Sequence, residues 1–458
     1  MKRLRWILFY LSLTISTFAQ NYTISVTVKG LPSYPLLLTD FYGDKNSIID
    51  TVKTNTLGKA VFTLPANQRV GMYKIVFNDD QYLDFVFNHE NIEFETSVHD
   101  VQASLKVVKS EENQLYFSTL LYYKEVKEKL NMLLQLKDLY TADDVFSKQI
   151  SDEYHTKLNA LNERINTAIK NNPKSYAAKL LKVKAEQFPD CDANAFTRTN
   201  SVRSRWFDNV DFPDTSLFYS NAFTTKIIGY LQQFTSKYYS QEQQMQMFKY
   251  GIDTIMMKAK VSTKAYNFVV DFMINGFEEM GNGNLVEYIA SRYSDDNSCE
   301  HDGSKTTLER KILSYTKLKV GSAAPAFQAI TDNGQKISLD GFANKTVMLV
   351  FWATWCSHCQ QALPEIVKMY NARIDKTFEL ITVSLDTNKT EWKQYLTLHA
   401  LNKTLNVCEG KSWDGKIATD YQIYSTPTIF VIKNKKIVAR PGDLDGLKDA
   451  LKQQHVIQ

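Results

Sequence analysis

The chain has 458 residues, 54 Lys and Arg against 50 Asp and Glu, and 44% hydrophobic side chains, which is too long for one ordinary core and points to several folded domains. With only 17 Gly and 10 Pro it is neither collagen-like nor a low-complexity polymer. The net charge of +4 includes Lys2, Arg3 and Arg5, so the rest is near neutral and gives no electrostatic basis for binding nucleic acid or an anionic membrane surface.

After that basic start, residues 6–18 form a thirteen-residue apolar run, WILFYLSLTISTF. Thr17 and Ala19 then place small side chains at positions −3 and −1 of a cut before Gln20. The pattern predicts a secretory signal peptide over residues 1–19, because the run falls short of the roughly 20 apolar residues of a spanning helix. No cysteine stands near the cut to carry a lipid.

Residues 20–105 read as strands. Tyr22-Thr-Ile-Ser-Val-Thr-Val28 alternates with period two, and runs at 36–41, 48–53, 60–64, 73–77, 82–87 and 92–96 follow, with Leu57-Gly58 as a turn signal. Six or seven short strands so punctuated predict a β-sandwich. It carries no His/Cys/carboxylate cluster and reads as a binding or packing module.

Residues 106–316 change to a helical texture, with six Gly and three Pro between 110 and 316. Val126, Leu130 and Leu133 mark one apolar face, and Leu158, Leu161, Ile165 and Ile169 another that stops before Asn172-Pro173. A bundle of seven to nine helices is expected. Cys191 and Cys299 lie in its polar connections. They either bridge or stay two unreactive thiols; the sequence does not say whether their Cα atoms lie within about 7 Å.

Residues 317–458 alternate strand and helix. TVMLVFW at 346–352 suits a strand buried on both faces, and a helix over 357–373 puts Leu363, Ile366, Val367 and Tyr370 on one side. A second buried strand at 378–385, a helix at 391–399, a hairpin at 428–432 and 436–439, and a last helix at 443–454 follow. The expected fold is therefore multidomain: an N-terminal β-sandwich, an α-helical middle and a C-terminal mixed α/β sheet.

The chemistry concentrates in FWATWCSHCQQ at 351–361, where Cys356 and Cys359 could hold a metal, staple the fold or move electrons. Structural zinc wants four ligands, commonly two spaced pairs; there is no second CxxC, and the seven histidines (89, 99, 155, 301, 358, 399, 455) show no HxxH or HxxxH spacing. A staple across three residues closes almost no loop and stabilises little. Redox work fits best. Cys356 falls where a buried strand meets a helix, and unpaired N–H groups and the helix dipole there favour a thiolate. Cys359 follows one turn later on the same face, placed to attack a mixed disulfide on Cys356.

Several segments resemble the TlpA/ResA-like branch of the thioredoxin superfamily over residues 317–458. They are Gly321-Ser-Ala-Ala-Pro325-Ala-Phe327, Asp332-Asn-Gly334, Ile337-Ser-Leu339, Phe351 to Cys359, Leu363-Pro364-Glu365 and Ser425-Thr426-Pro427-Thr428. The layout of the whole chain resembles the multidomain thiol–disulfide proteins exported by Bacteroidota. The resemblance implies a thioredoxin-like fold, with Cys356 as nucleophile, Cys359 as resolving thiol and Pro427 as the cis-proline facing the disulfide. Beside it Thr426 would pair with a substrate strand, and Trp355 would shield the cysteines. Two departures stand out. The buried acid and the lysine of thioredoxins fall at Val350 and Thr382, and the glutamate that follows the second cysteine in related reductases falls at Ala362. The proton acceptor for Cys359 is then missing or moved, with Glu365 or water as alternatives. His358, between the cysteines, is placed to stabilise a Cys356 thiolate and so the reduced form.

The resulting expectation is an exported thiol–disulfide oxidoreductase of the periplasm or cell envelope of a Gram-negative bacterium. It would act on protein thiols and disulfides, with a membrane or periplasmic electron-transfer partner, no metal and no cofactor beyond its own cysteines. The direction of electron flow stays open. The alternative is a cell-envelope binding or scaffold protein whose N-terminal domains carry the function. Cys408, after Leu405-Asn-Val, reads as a partly buried thiol at a strand end.

Overall fold

The computed structural model describes residues 21–293, 307–375, 378–401 and 403–457, so the expected signal peptide and Cys299 lie outside the described residues. The chain divides into two compact units between Ala265 and Tyr266.

The N-terminal unit opens with eight strands: β1 (Tyr22–Lys29), β2 (Pro35–Tyr42), β3 (Lys45–Lys53), β4 (Lys59–Leu64), β5 (Gly71–Val76), β6 (Tyr82–Phe87), β7 (Ile92–Ser97) and β8 (Lys106–Lys109). They form two four-stranded sheets, ordered β4-β1-β7-β8 and β3-β2-β5-β6. Alternation along each strand sends Ile24, Val26 and Phe94 of one sheet and Leu38, Ile75 and Phe85 of the other into one shared core. The strand count exceeds the expectation by β8, whose Val107 pairs with Phe94 of β7; four residues of weak alternation give little signal alone. Gly58 closes the β3–β4 turn at φ +78°, where an added Cβ would stand 2.2 Å from the Val28 carbonyl oxygen. Only glycine fits there.

Helices follow: α1 (Glu111–Lys137), α2 (Val145–Asn171), α3 (Tyr176–Lys184), α4 (Ala195–Arg205), α5 (Ala222–Gln232), α6 (Gln241–Ala259), α7 (Thr263–Glu279), α8 (Gly283–Tyr293) and α9 (Thr307–Lys317). Side-chain caps start them, as where Ser110 accepts from the Asn113 N–H of α1 and Asp144 from the Phe146 N–H of α2. Val126 and Leu130 of α1 pack with Leu161 and Ile165 of α2, the stripes visible in the sequence.

The C-terminal unit begins at Tyr266 and so takes in all but the start of α7, with α8 and α9; there a short hairpin of β9 (Gln328–Ile330) and β10 (Lys336–Ser338) precedes a five-stranded sheet. Its strands are β11 (Thr346–Trp352), β12 (Glu379–Ser384), β13 (Leu405–Cys408), β14 (Thr428–Lys433) and β15 (Lys436–Ala439), in the order β13-β12-β11-β14-β15. β11 runs parallel to β12 and antiparallel to β14, and all seven of its residues are buried. Helices α10 (Ser357–Asn371), α11 (Lys389–Leu398), α12 (Lys416–Asp420) and α13 (Leu444–Gln453) complete the unit. Among the described residues no helix is long and apolar enough to cross a membrane.

Candidate functional site

β11 stops at Trp352, and the turn Ala353-Thr354-Trp355 delivers Cys356 to the N-cap of α10, with φ −89° and ψ 109°. The Cys359 N–H donates to Cys356 Sγ at 3.1 Å. One amide donor and the positive end of the helix thus converge on the first sulfur, the arrangement that favours a thiolate. Cys356 and Cys359 are joined as a disulfide with Cα atoms 5.2 Å apart. Cys356 is 9% exposed and Cys359 fully buried, so of the two residues only the first reaches the surface.

The loop before β14 lies opposite. The Thr426–Pro427 peptide is cis, and the Thr426 carbonyl oxygen is 3.4 Å from Cys356 Sγ. Trp355 is 57% exposed, with its ring 6.2 Å from that of Trp413, so it stands beside the pair as part of an aromatic surface. His358 is exposed on the first turn of α10, and among the described residues no hydrogen bond joins it to either sulfur of the oxidised pair.

At the positions of the expected acid and base, Val350 is buried in β11, Ala362 packs against the core, and the Thr382 hydroxyl donates to Asn406 Oδ1 at 2.7 Å. Glu365 is exposed and pairs with Lys368 at 3.6 Å.

Two groups that sequence reasoning missed hold the site in place. Asp386, just past β12, is 4% exposed and accepts the Thr354 N–H at 3.1 Å, the Thr354 hydroxyl at 2.6 Å and the Ser384 hydroxyl at 2.6 Å. It fastens the turn before Cys356 to the neighbouring strand. The signal was an acid at the end of a buried strand, and the parallel pairing of β11 and β12 puts it at the same end of the sheet as the cysteines. Cys408, at the end of β13, donates to the Asp386 carbonyl at 3.2 Å, and burial pushes its thiol above the ordinary range. The second group centres on Glu278 of α7, which accepts from Tyr315 of α9 at 2.8 Å and from Tyr424 at 2.5 Å, and which pairs with Lys311. Tyr424 is two residues before Thr426, so α7 and α9 anchor the cis-proline loop. Arg310 of α9 likewise donates to the Trp413 carbonyl at 2.6 Å and pairs with Asp414 at 3.0 Å.

A mixed sheet whose first central strand delivers a cysteine pair to a helix start, facing a cis-proline, defines a thioredoxin-like thiol–disulfide domain. The AhpC/TSA family matches residues 320–440. The thiol-disulfide oxidoreductase ResA of Bacillus thuringiensis is 30% identical over 123 residues, 27% of this chain and 69% of that protein. The thioredoxin-like protein YneN of Bacillus subtilis is 32% identical over 129 residues, 27% of this chain and 74% of its own. Among solved structures, the thioredoxin domain of a thiol-disulfide oxidoreductase from Bacteroides vulgatus is 31% identical, covers 30% of this chain and 98% of that one, and has a TM-score of 0.28. A thioredoxin-like protein from Bacteroides caccae covers 58% of this chain and 96% of that one at 15% identity and a TM-score of 0.38. Through its C-terminal domain the chain belongs to the ResA/TlpA-like thiol–disulfide oxidoreductases of the thioredoxin superfamily.

Proposed function

We propose that this oxidoreductase is exported and exchanges disulfides with protein substrates through Cys356 and Cys359. One observation carries the reading: Cys356, the more accessible residue of the pair, caps a helix, and the buried Cys359 sits a single turn behind it. In the reducing direction the Cys356 thiolate attacks a substrate disulfide, forming a mixed disulfide and expelling one substrate thiolate. Cys359, losing its proton, then attacks Cys356 Sγ; the internal disulfide closes and the second substrate thiolate leaves. Two electrons pass from the pair to the substrate, and a periplasmic or membrane thiol partner resupplies them. Oxidation runs the same steps backwards.

Each neighbour has a role in this scheme. The extended backbone of Thr426, with Pro427 lacking an N–H, pairs with a substrate strand, and the exposed Trp355 receives apolar side chains. His358 steadies the Cys356 thiolate once the pair is reduced. The signal pattern over residues 1–19 supports export, which the N-terminal sequence of the mature protein, expected to begin at Gln20, would test. Insulin reduction by the wild type and by Cys356→Ser tests the chemistry; turnover that survives the substitution places it elsewhere.

A second reading assigns ligand binding to the N-terminal unit, with the redox domain auxiliary. A cavity of about 690 Å³ there favours it, lined by Asp84, Tyr82, Tyr116 and Lys184. Burial pushes the Asp84 carboxyl up and the Lys184 ammonium down, and their respective partners are Lys74 at 3.8 Å and Asn221 at 3.4 Å.

A further inference from the structure

A second set of sulfur, nitrogen and oxygen donors meets inside the N-terminal unit. His155 of α2 and Asp190, Cys191 and Asp192 of the α3–α4 connection each offer one donor atom, all within 4.8 Å of one another. Cys191 Sγ lies 3.6 Å from His155 Nε2 and 3.9 Å from Asp192 Oδ2, and His155 Nε2 lies 3.5 Å from Asp192 Oδ2. A tetrahedral zinc ion, with bonds of about 2.3 Å to sulfur and about 2.0–2.1 Å to nitrogen and oxygen, spaces its ligands about 3.3–3.6 Å apart. The triangle already has that size to within about 0.4 Å.

The surroundings orient the donors. Asp192 Oδ1 accepts from Lys137 Nζ and from Ser151 Oγ, each at 2.8 Å, which leaves Oδ2 turned toward the sulfur and the imidazole. The Asp192 N–H donates to Asp190 Oδ1 at 3.0 Å, and Arg198 holds the Cys191 carbonyl at 2.5 Å. Outer hydrogen bonds of this kind are what fix metal ligands in place. Cys191 is fully buried among Val126, Leu130, Tyr154 and Leu161. An ion-pair network accounts for Lys137 and Asp192, and the Cys191 sulfur, at hydrogen-bond distance from the imidazole and the second carboxylate oxygen, completes a convergence of sulfur, nitrogen and oxygen donors on one point. Lys137 also offsets the negative charge that a thiolate and two carboxylates would bring to a divalent ion.

We propose that His155, Asp190, Cys191 and Asp192 form a zinc site that pins the α3–α4 connection to α2. Sulfur and imidazole select zinc over calcium or magnesium, and binding releases the Cys191 thiol proton. The site is independent of the dithiol.

The test uses the full chain carrying Cys356→Ser and Cys359→Ser, so that those sulfurs bind no metal. After chelator treatment, zinc is titrated by calorimetry and cobalt(II) by absorbance. The expected result is one ion per chain, a thiolate-to-cobalt charge-transfer band that disappears in Cys191→Ala, and binding weakened at least about tenfold in His155→Ala. Saturating zinc should raise the melting midpoint of the parent but not of His155→Ala. His155 is half exposed, so this variant decides the matter even where Cys191→Ala fails to fold. Cobalt binding without a thiolate band, equal affinity in His155→Ala, or no binding tighter than about millimolar overturns the proposal.

Discussion

Cys356 and Cys191 are both nearly removed from solvent, yet their surroundings assign them opposite chemistry. Cys356 caps a helix, receives an amide N–H and keeps 9% of its surface open beside the Thr426 carbonyl. Cys191 is closed off, and its sulfur meets an imidazole and a carboxylate instead of amide donors. Backbone dipoles at an open helix start prepare a sulfur to attack; side-chain donors around a closed sulfur prepare it to be held. Burial alone separates neither case.

The largest test of that contrast is activity. Cys356→Ser should drop insulin reduction to background, whereas Cys359→Ser should still attack and accumulate mixed disulfides visible on non-reducing gels. If Cys359→Ser turned over normally, the open and closed sulfurs would not divide the labour. Next comes Asp386. Asp386→Ala leaves the Thr354 and Ser384 donors without their buried acceptor, and should cost about 2–4 kcal/mol in urea unfolding. A loss under about 0.5 kcal/mol would mean that the turn before Cys356 is held otherwise.

A smaller effect is expected from His358→Pro, which should lower the reduction potential of the pair by on the order of tens of millivolts if the imidazole steadies the thiolate. An unchanged potential would leave the helix start as the sole source of activation.

The smallest concerns Glu278. Burial opposes its ionisation, but hydrogen bonds from Lys311, Tyr424 and Tyr315 win and hold the carboxyl below its ordinary 4.5. Its contribution to stability is therefore present above that value and lost as pH falls through the lower folded one. Urea midpoints measured between about pH 6 and about pH 3 should fall, and Glu278→Gln should flatten the slope in that window. An unaltered slope would separate Glu278 from the anchoring of the Tyr424 loop.

Much of this molecule could be read before folding it. β11 spans the expected 346–352, α10 starts at the expected Ser357, and the hairpin and last helix fall within a residue of their expected bounds. The apolar stripes of α1 and α2 were equally plain, because a helix period repeats along the chain. β8 was missed because four residues alternate too briefly to be noticed. Asp386 and Glu278 were missed for another reason: an isolated acid carries no periodicity, and only its partners mark it out.

By itself the sequence determined the strand–turn–helix that presents Cys356 and Cys359, since a continuous apolar run, a CxxC and a helical face are all local patterns. Tertiary structure alone decided which groups steady that site and which residues surround Cys191. Glu278 is 146 residues from Tyr424, and His155 is 36 from Cys191. Charges and donors act over a few ångströms of space, and distance along the chain does not record which of them will meet.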